Sequence, residues 1–289
     1  MATRLCRGGV RVVGFDRSPE VITDLVQSAG MCAANALEDL LQQLAPPRVL
    51  WLMLPSGAVT EAQIQALIPL LQKGDVLVDG GNSNYHDSER RAALLATHGI
   101  GFADAGTSGG VWGLENGYCL MVGATAAVFE QISPFIRILA PAPDRGWAHV
   151  GPVGAGHFVK MIHNGIEYGM MQSLAEGLSL LQGKQPFALD LAQITELWRE
   201  GSVVRSWLLD LTAQSLRADP SLQHVAPYVA DSGEGRWSAI EAIDQGLATP
   251  VLSLALQMRF QSQDQTGFGF RLLAMMRNAF GGHALRELP

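Results

Sequence analysis

The sequence has only three cysteines, Cys6, Cys32 and Cys119, among its 289 residues. An odd number at irregular spacing excludes a disulfide framework and offers no metal-ligand pattern. The expectation is three partly buried thiols in a reducing compartment. None of the seven histidines pairs with another at metal spacing, so no catalytic metal is expected. No apolar run of ~20 residues is free of polar interruption, which argues against a transmembrane helix. No basic start leads into an apolar run with a small-residue cleavage site, so no signal peptide is expected and the cytoplasm is the default. Positive charge is also scarce. Twenty Lys and Arg against 27 Asp and Glu give a net charge of -7, too acidic for a general nucleic-acid binder. A small anionic substrate stays compatible, because a pocket can be locally positive in an acidic protein. What the chain does have is apolar surface to bury. Its residues are 48% hydrophobic and 16% charged, which describes a globular protein with a sizeable core in one large domain or two ordinary ones.

The first half alternates short apolar runs with helical patterns. Arg11 to Asp16 reads as a buried strand, followed by a helix from Pro19 with Ser18 as its N-cap. Further strands are expected at Val49 to Leu54, stopped by Pro55, at Asp75 to Asp79 and at Gly101 to Ala105. Near-continuous apolar strands separated by helices imply a mainly parallel sheet covered on both faces. Tyr118 to Gly123 and Gly146 to Val150 read as later strands, open to an antiparallel arrangement. From Val153 to about Leu181 the pattern is one long helix, and helices follow near 189–199, 203–215, 236–246, 250–262 and 268–280. The fold class is therefore an α/β, Rossmann-type domain over residues 1–152, then an all-α domain over 153–289, joined at Gly151-Pro152-Val153-Gly154.

Four features carry chemistry. Asp16 ends a strand before a helix, where an acidic residue binds the ribose hydroxyls of a dinucleotide; the alternative is a turn or capping Asp. The Gly-x-Gly-x-x-Gly loop that belongs upstream is absent, and Gly8-Gly9 read as a helix terminator. Asp79-Gly80-Gly81-Asn82-Ser83 and Thr107-Ser108-Gly109-Gly110-Val111-Trp112-Gly113 each follow a strand directly. Each is either a tight turn or a ligand loop, and two such loops suit the crevice where open α/β sheets bind ligands. In Lys160-Met161-Ile162-His163-Asn164-Gly165-Ile166-Glu167-Tyr168, the residues Lys160, His163, Asn164 and Glu167 are spaced i, i+3, i+4, i+7, on one helix face among apolar neighbours. Polar groups there are costly to bury without partners or a ligand. A solvated helix face would carry long charged side chains beyond Glu167, and the stripe stops there.

These stretches, with His157-Phe158-Val159, Gly233-Glu234-Gly235-Arg236-Trp237 and Arg277-Asn278-Ala279-Phe280-Gly281-Gly282-His283, resemble the decarboxylating 6-phosphogluconate dehydrogenases in their shorter bacterial form, over essentially the whole chain. The resemblance implies oxidative decarboxylation of 6-phosphogluconate to ribulose 5-phosphate and CO2, the pentose phosphate pathway reaction, with NAD, or NADP, as cofactor. It implies Lys160 as the base that takes the C3 hydroxyl proton, for which the lysine must first give up its charge, and Glu167 as the acid that protonates C1. Asn82, Ser108, Gly109, Gly110, His163 and Asn164 would hold the sugar acid. Tyr168, Arg236, Arg259, Arg277 and His283 would hold the phosphate, a task to which arginine's paired donors are suited. Asp16, Arg17, Leu54, Pro55 and Asn82 would meet the cofactor. Asp16 favours NAD, while Arg17 beside it suits a 2′-phosphate. Because the Arg277 and His283 equivalents come from a neighbouring subunit, a homodimer or homotetramer is implied, with no nucleic-acid or membrane partner.

The departure from the family is at the start. Met1 to Leu5 resembles the middle of the family's first helix, so the first strand and glycine loop, roughly a dozen residues, are expected to be missing. Two strand edges would then stand unpaired at the centre of the sheet, each orphaned backbone group costing ~1–3 kcal/mol. Either the start is wrongly assigned or the enzyme is truncated and crippled. Two other readings stay open. One is a dehydrogenase for another 3-hydroxy acid, which would have no use for Arg236, Arg259 and Arg277 together. The other is a non-catalytic protein that binds the substrate alone.

Overall fold

A computed structural model describes residues 1–286 of the chain, apart from the side chain of Phe280. The chain divides into two compact units, Met1–Asn164 and Gly165–Pro289.

In the first unit a short helix α1 (Ala2–Arg7) precedes β1 (Val13–Gly14), α2 (Pro19–Ala29) and β2 (Cys32–Ala33). Then come α3 (Leu37–Gln42), β3 (Val49–Leu52), α4 (Ala58–Leu67), β4 (Val76–Asp79), α5 (Tyr85–Thr97) and β5 (Gly101–Ser108). The one-turn α6 (Gly113–Asn116), β6 (Cys119–Ala124), α7 (Ala126–Leu139) and β7 (Trp147–Gly151) complete the alternation before the long helix α8 (Ala155–Gly183) starts. The sheet is in two pieces. β1 and β2 form a parallel pair, and a separate sheet has the order β3-β4-β5-β6-β7. β3, β4 and β5 are parallel, β6 runs antiparallel to β5, and β7 runs parallel to β6. β1 and β3 each carry a single partner strand among the described residues.

The apolar strands are buried on both faces. Val76, Val78, Ala103, Ala105, Leu120 and Val122 pack against Val128, Ile132, Ile136 and Leu139 of α7. The alternate residues Leu50, Leu77 and Phe102 point the other way, onto Leu41, Ile64, Leu67 and Leu95. The period-2 alternation of a strand thus meets apolar residues at every position, which is why these runs show no polar face. Each of the α7 side chains contributes roughly 1.5–3 kcal/mol by leaving water.

The first strand is shorter than expected, two residues rather than Arg11 to Asp16, because β1 has only the two-residue β2 to pair with. Ser18 occupies the N-cap of α2 with Pro19 behind it, but its side chain makes no capping hydrogen bond. Instead its amide donates to Asp16 Oδ1 at 2.8 Å.

The regular secondary structure of the second unit's described residues is all helical. The unit holds the later part of α8, then α9 (Leu191–Arg199), α10 (Trp207–Ala218), α11 (Glu234–Asp244), α12 (Pro250–Gln263) and α13 (Phe268–Gly281). α10 starts later than the periodicity suggested because the Ser206 hydroxyl accepts from the Leu209 amide at 3.2 Å and sets the first turn there. Strand–helix alternation ends at Gly151, yet the first unit extends to Asn164. The first turns of α8 pack directly on β5 and β6: a Cβ on Gly156 would lie 2.4 Å from the Asp104 carbonyl and 2.5 Å from that of Met121. No described helix is long and apolar enough to cross a membrane.

Candidate active site

The parallel strands β3, β4 and β5 release their loops at one edge of the sheet, around a cleft of about 450 Å3. Met53, Gly80, Gly81, Asn82, Thr107, Gly110 and Tyr118 line it, together with Met1 and Ala2. The glycines are required by space. A Cβ on Gly80 would lie 2.2 Å from Trp51 Nε1, and one on Gly81 would lie 2.6 Å from the Leu54 carbonyl. Gly109, which turns the second loop, has φ +133, a conformation that only glycine adopts without strain.

Buried charge holds the first loop. The Asp79 carboxylate, fully buried at the end of β4, accepts from the Gly81 amide at 3.1 Å and from the Ser83 hydroxyl at 2.7 Å. Arg91 of α5, also fully buried, donates to Asp79 at 3.0 Å, to Ser83 at 3.2 Å and to Glu61 of α4 at 3.2 Å. Arg90 adds a fork to Glu61 at 3.0 and 2.7 Å. The Arg90 donors hold the Glu61 carboxyl down from 4.5 to about 2, helped by Arg91 and Gln65 and opposed by burial. A depressed carboxyl stabilises the fold above its unfolded value, and that stability is lost as pH falls through the folded one. Glu61→Gln is therefore expected to melt below the parent protein at pH 7, with the gap closing as pH falls from 4.5 toward about 2. Thermal melts across that range check it; a gap independent of pH would contradict the assignment.

Lys160 and Asn164 are buried, and Lys160 Nζ donates to Asn164 Oδ1 at 2.7 Å. His163 Nδ1 lies 3.4 Å from the same Nζ and 3.2 Å from Asn164 Oδ1. The stem of Lys160 rests on β5, where a Cβ on Gly106 would come within 2.4 Å of Lys160 Cβ. This places the polar cluster beside the strand that ends in Ser108-Gly109-Gly110. The N-terminus of α8 is held by Asp104 of β5, fully buried, which accepts from the Gly154 and His157 amides at 2.7 Å each. Burial pushes the Asp104 carboxyl above its ordinary value, against the pull of His157 and of those amides.

The second unit holds another cluster. The Arg259 guanidinium lies 3.3 Å from the ring centroid of Tyr168 and donates to the Ala230 carbonyl at 2.8 Å. Arg236 donates to Asp231 at 2.6 Å and stacks over Phe260 at 5.0 Å. The structure thus groups Lys160 with His163 and Asn164, groups Tyr168 with Arg259 and, through the 230–236 segment, Arg236, and places Asn82 and Gly110 on the cleft. Glu167 is half-buried on α8. Arg277 is exposed on α13 and His283 lies beyond its end, apart from any grouping described above. Asp16 and Arg17 are exposed at the turn from β1 to α2, where Asp16 also serves the turn, the role its alternative reading gave it. Sequence reasoning did not single out Asp104 or Arg91, and it met the buried His157 only within the stretch that carries the resemblance, with no role of its own. Their only signal was a carboxylate at a strand end and polar residues inside amphipathic helices, which reads equally as surface.

A Rossmann-type sheet with ligand loops at its strand ends, followed by a helical unit, with a buried lysine on the helix that links them, defines a nucleotide-dependent dehydrogenase class. The NAD binding domain of 6-phosphogluconate dehydrogenase matches residues 1–151, and the C-terminal domain of the same enzyme matches residues 156–268. The chain belongs to the 6-phosphogluconate dehydrogenase family. It is 38% identical to the NAD(+)-dependent, decarboxylating 6-phosphogluconate dehydrogenase of Haloferax volcanii, across 97% of this chain and 92% of that one. It is 35% identical to the enzyme of that name from Bacillus subtilis, across 91% of this chain but 58% of that one. The solved structure of Plasmodium falciparum 6-phosphogluconate dehydrogenase superposes with a TM-score of 0.83 at 24% identity, covering all of this chain and 63% of that one.

Proposed function

We propose that the protein oxidises and decarboxylates 6-phosphogluconate to ribulose 5-phosphate and CO2, with NAD preferred over NADP, in the cytoplasm. The observation that carries the reading is the buried Lys160–Asn164 pair beside the Ser108-Gly109-Gly110 loop. The names of the relatives agree with it. Lys160 takes the C3 hydroxyl proton and afterwards, protonated, polarises the C3 ketone during loss of CO2. Glu167 delivers a proton to C1. Asn82, Ser108, Gly109, Gly110, His163 and Asn164 hold the sugar acid. Tyr168, Arg236 and Arg259 hold the phosphate, with Arg277 and His283 from a neighbouring copy.

The cleft suits the nicotinamide half of a dinucleotide. Its volume falls in the range of small-molecule sites, and it lies at the carboxyl ends of parallel strands. Leu54, Pro55 and Asn82 would hold that half, and Asp16 and Arg17 the adenosine ribose. When bound, the cofactor supplies the hydride acceptor. Exposed Phe268, Phe270, Leu272, Leu273 and Met276 on α13 give an apolar face for a second copy, in support of a homodimer or homotetramer.

The test is steady-state kinetics on the full chain with 6-phosphogluconate, following cofactor reduction and CO2 release. Turnover with a higher kcat/KM for NAD is expected, falling on dilution as the oligomer dissociates. A higher value with NADP would overturn the cofactor preference. Substrate binding without turnover on either cofactor would leave the non-catalytic binding protein as the answer.

A further inference from the structure

We propose that Asp104 and Gly106 of β5 are positioning residues that fix where the Lys160 amine stands, an inference resting on the reading of Lys160 as the proton acceptor. The amides of a helix's first turn have no partner within the helix. At the start of α8 one planar carboxylate takes one of these and the amide just before the helix, with Oδ2 on the His157 amide and Oδ1 on the Gly154 amide, both at 2.7 Å. Two bonds from a rigid group to amides three residues apart restrain the rotation of the helix about its axis as well as its distance from the sheet. Both bonds are short, and the positive end of the helix dipole favours an acceptor at this position. His157 is tied a second time, its Nδ1 lying 2.7 Å from the Ser88 hydroxyl of α5.

Lys160 follows His157 by three residues, nearly one turn. Two residues beyond Asp104, on the same face of β5, Gly106 leaves the room into which the Lys160 stem fits. β5 does not depend on the Asp104 side chain for its place in the sheet, since β4 and β6 pair with its backbone along both sides. Both hydrogen bonds of the carboxylate described above go to the start of α8, one to its first turn and one to the residue that precedes it. A proton acceptor must stand within hydrogen-bond reach of the proton it takes, and a misplacement of ~1 Å can cost on the order of 100-fold.

The chain has three lysines, and the other two, Lys73 and Lys184, are exposed. Brief acetylation of the folded protein with an N-hydroxysuccinimide ester, read by peptide mass spectrometry, therefore reports on Lys160 against two internal references. Asp104→Asn and Gly106→Ala are each expected to change the acetylation rate of Lys160 while Lys73 and Lys184 keep theirs. Each is expected to lower kcat by roughly 10- to 100-fold at little-changed KM and to raise the deuterium isotope effect of substrate labelled at C3. Should either variant fail to fold, the other carries the test. A lower melting temperature with Lys160 reactivity, kcat and isotope effect all at parent values would overturn the proposal, leaving Asp104 a structural cap. Lys160→Met, assayed alongside, separates the two claims. Retained turnover in that variant removes Lys160 from the chemistry, whereas the acetylation ratio reports on positioning whatever the turnover.

Discussion

Lys160→Met is expected to retain 6-phosphogluconate binding and to lose at least ~100-fold to 10,000-fold in turnover, the range for removal of a general base. The loss should fall at the upper end or beyond it, because the same amine is assigned to the decarboxylation that follows. Methionine keeps the length and apolar character of the stem, which packs on β5, so the fold should survive. Glu167→Gln is the companion variant. The amide preserves shape and hydrogen-bonding reach but cannot deliver a proton to C1, so binding should persist while turnover falls. Steady-state kinetics with substrate affinity measured separately by calorimetry decides the matter. Near-normal kcat in Lys160→Met would sink the mechanism, and loss of binding in both variants would make the polar stripe of α8 structural.

The largest effect on stability is expected at Arg91. Its guanidinium is fully buried and reaches Asp79, Ser83 and Glu61, so Arg91→Leu strands the buried Asp79 carboxylate without its counter-charge. Breaking a buried ion pair by removing one partner costs ~3–5 kcal/mol. In a unit of this size that corresponds to a fall in Tm of roughly 6 to 20 °C. Arg90→Leu, one position earlier, should cost far less, because its side chain is 53% exposed and surface pairs contribute at most about 1 kcal/mol. Differential scanning calorimetry of the two variants gives the comparison. Removing Asp79 as well, in Arg91→Leu/Asp79→Leu, should recover part of the loss, since no unpaired charge then stays buried. Equal melting temperatures for Arg90→Leu and Arg91→Leu would contradict the account.

Much of the candidate site could be read before any fold was known. The i, i+3, i+4, i+7 spacing placed Lys160, His163, Asn164 and Glu167 on one helix face, and the structure brings the first three together. Helical periodicity is local, so a few residues suffice to show it. The glycine-rich loops were legible for the same reason, because they follow apolar strands directly. The start of α10 was displaced because a single serine cap overrides periodicity. The length of the first strand was misjudged because a strand's extent depends on its partner, and the partner of β1 is two residues long.

The linear order of residues determined the α/β-then-helical architecture and the polar stripe, since both follow from repeats of two or 3.6 residues along one segment. It did not determine what each polar residue meets. Arg90 and Arg91 are neighbours of the same type, yet one is half exposed and the other wholly buried, because successive positions on α5 point in different directions and only one of them points at Asp79. The amides of Gly154 and His157 stand 50 and 53 residues from Asp104 in the chain. Only the packing of α8 onto β5 brings them within 2.7 Å, and the position of the Lys160 amine depends on that packing.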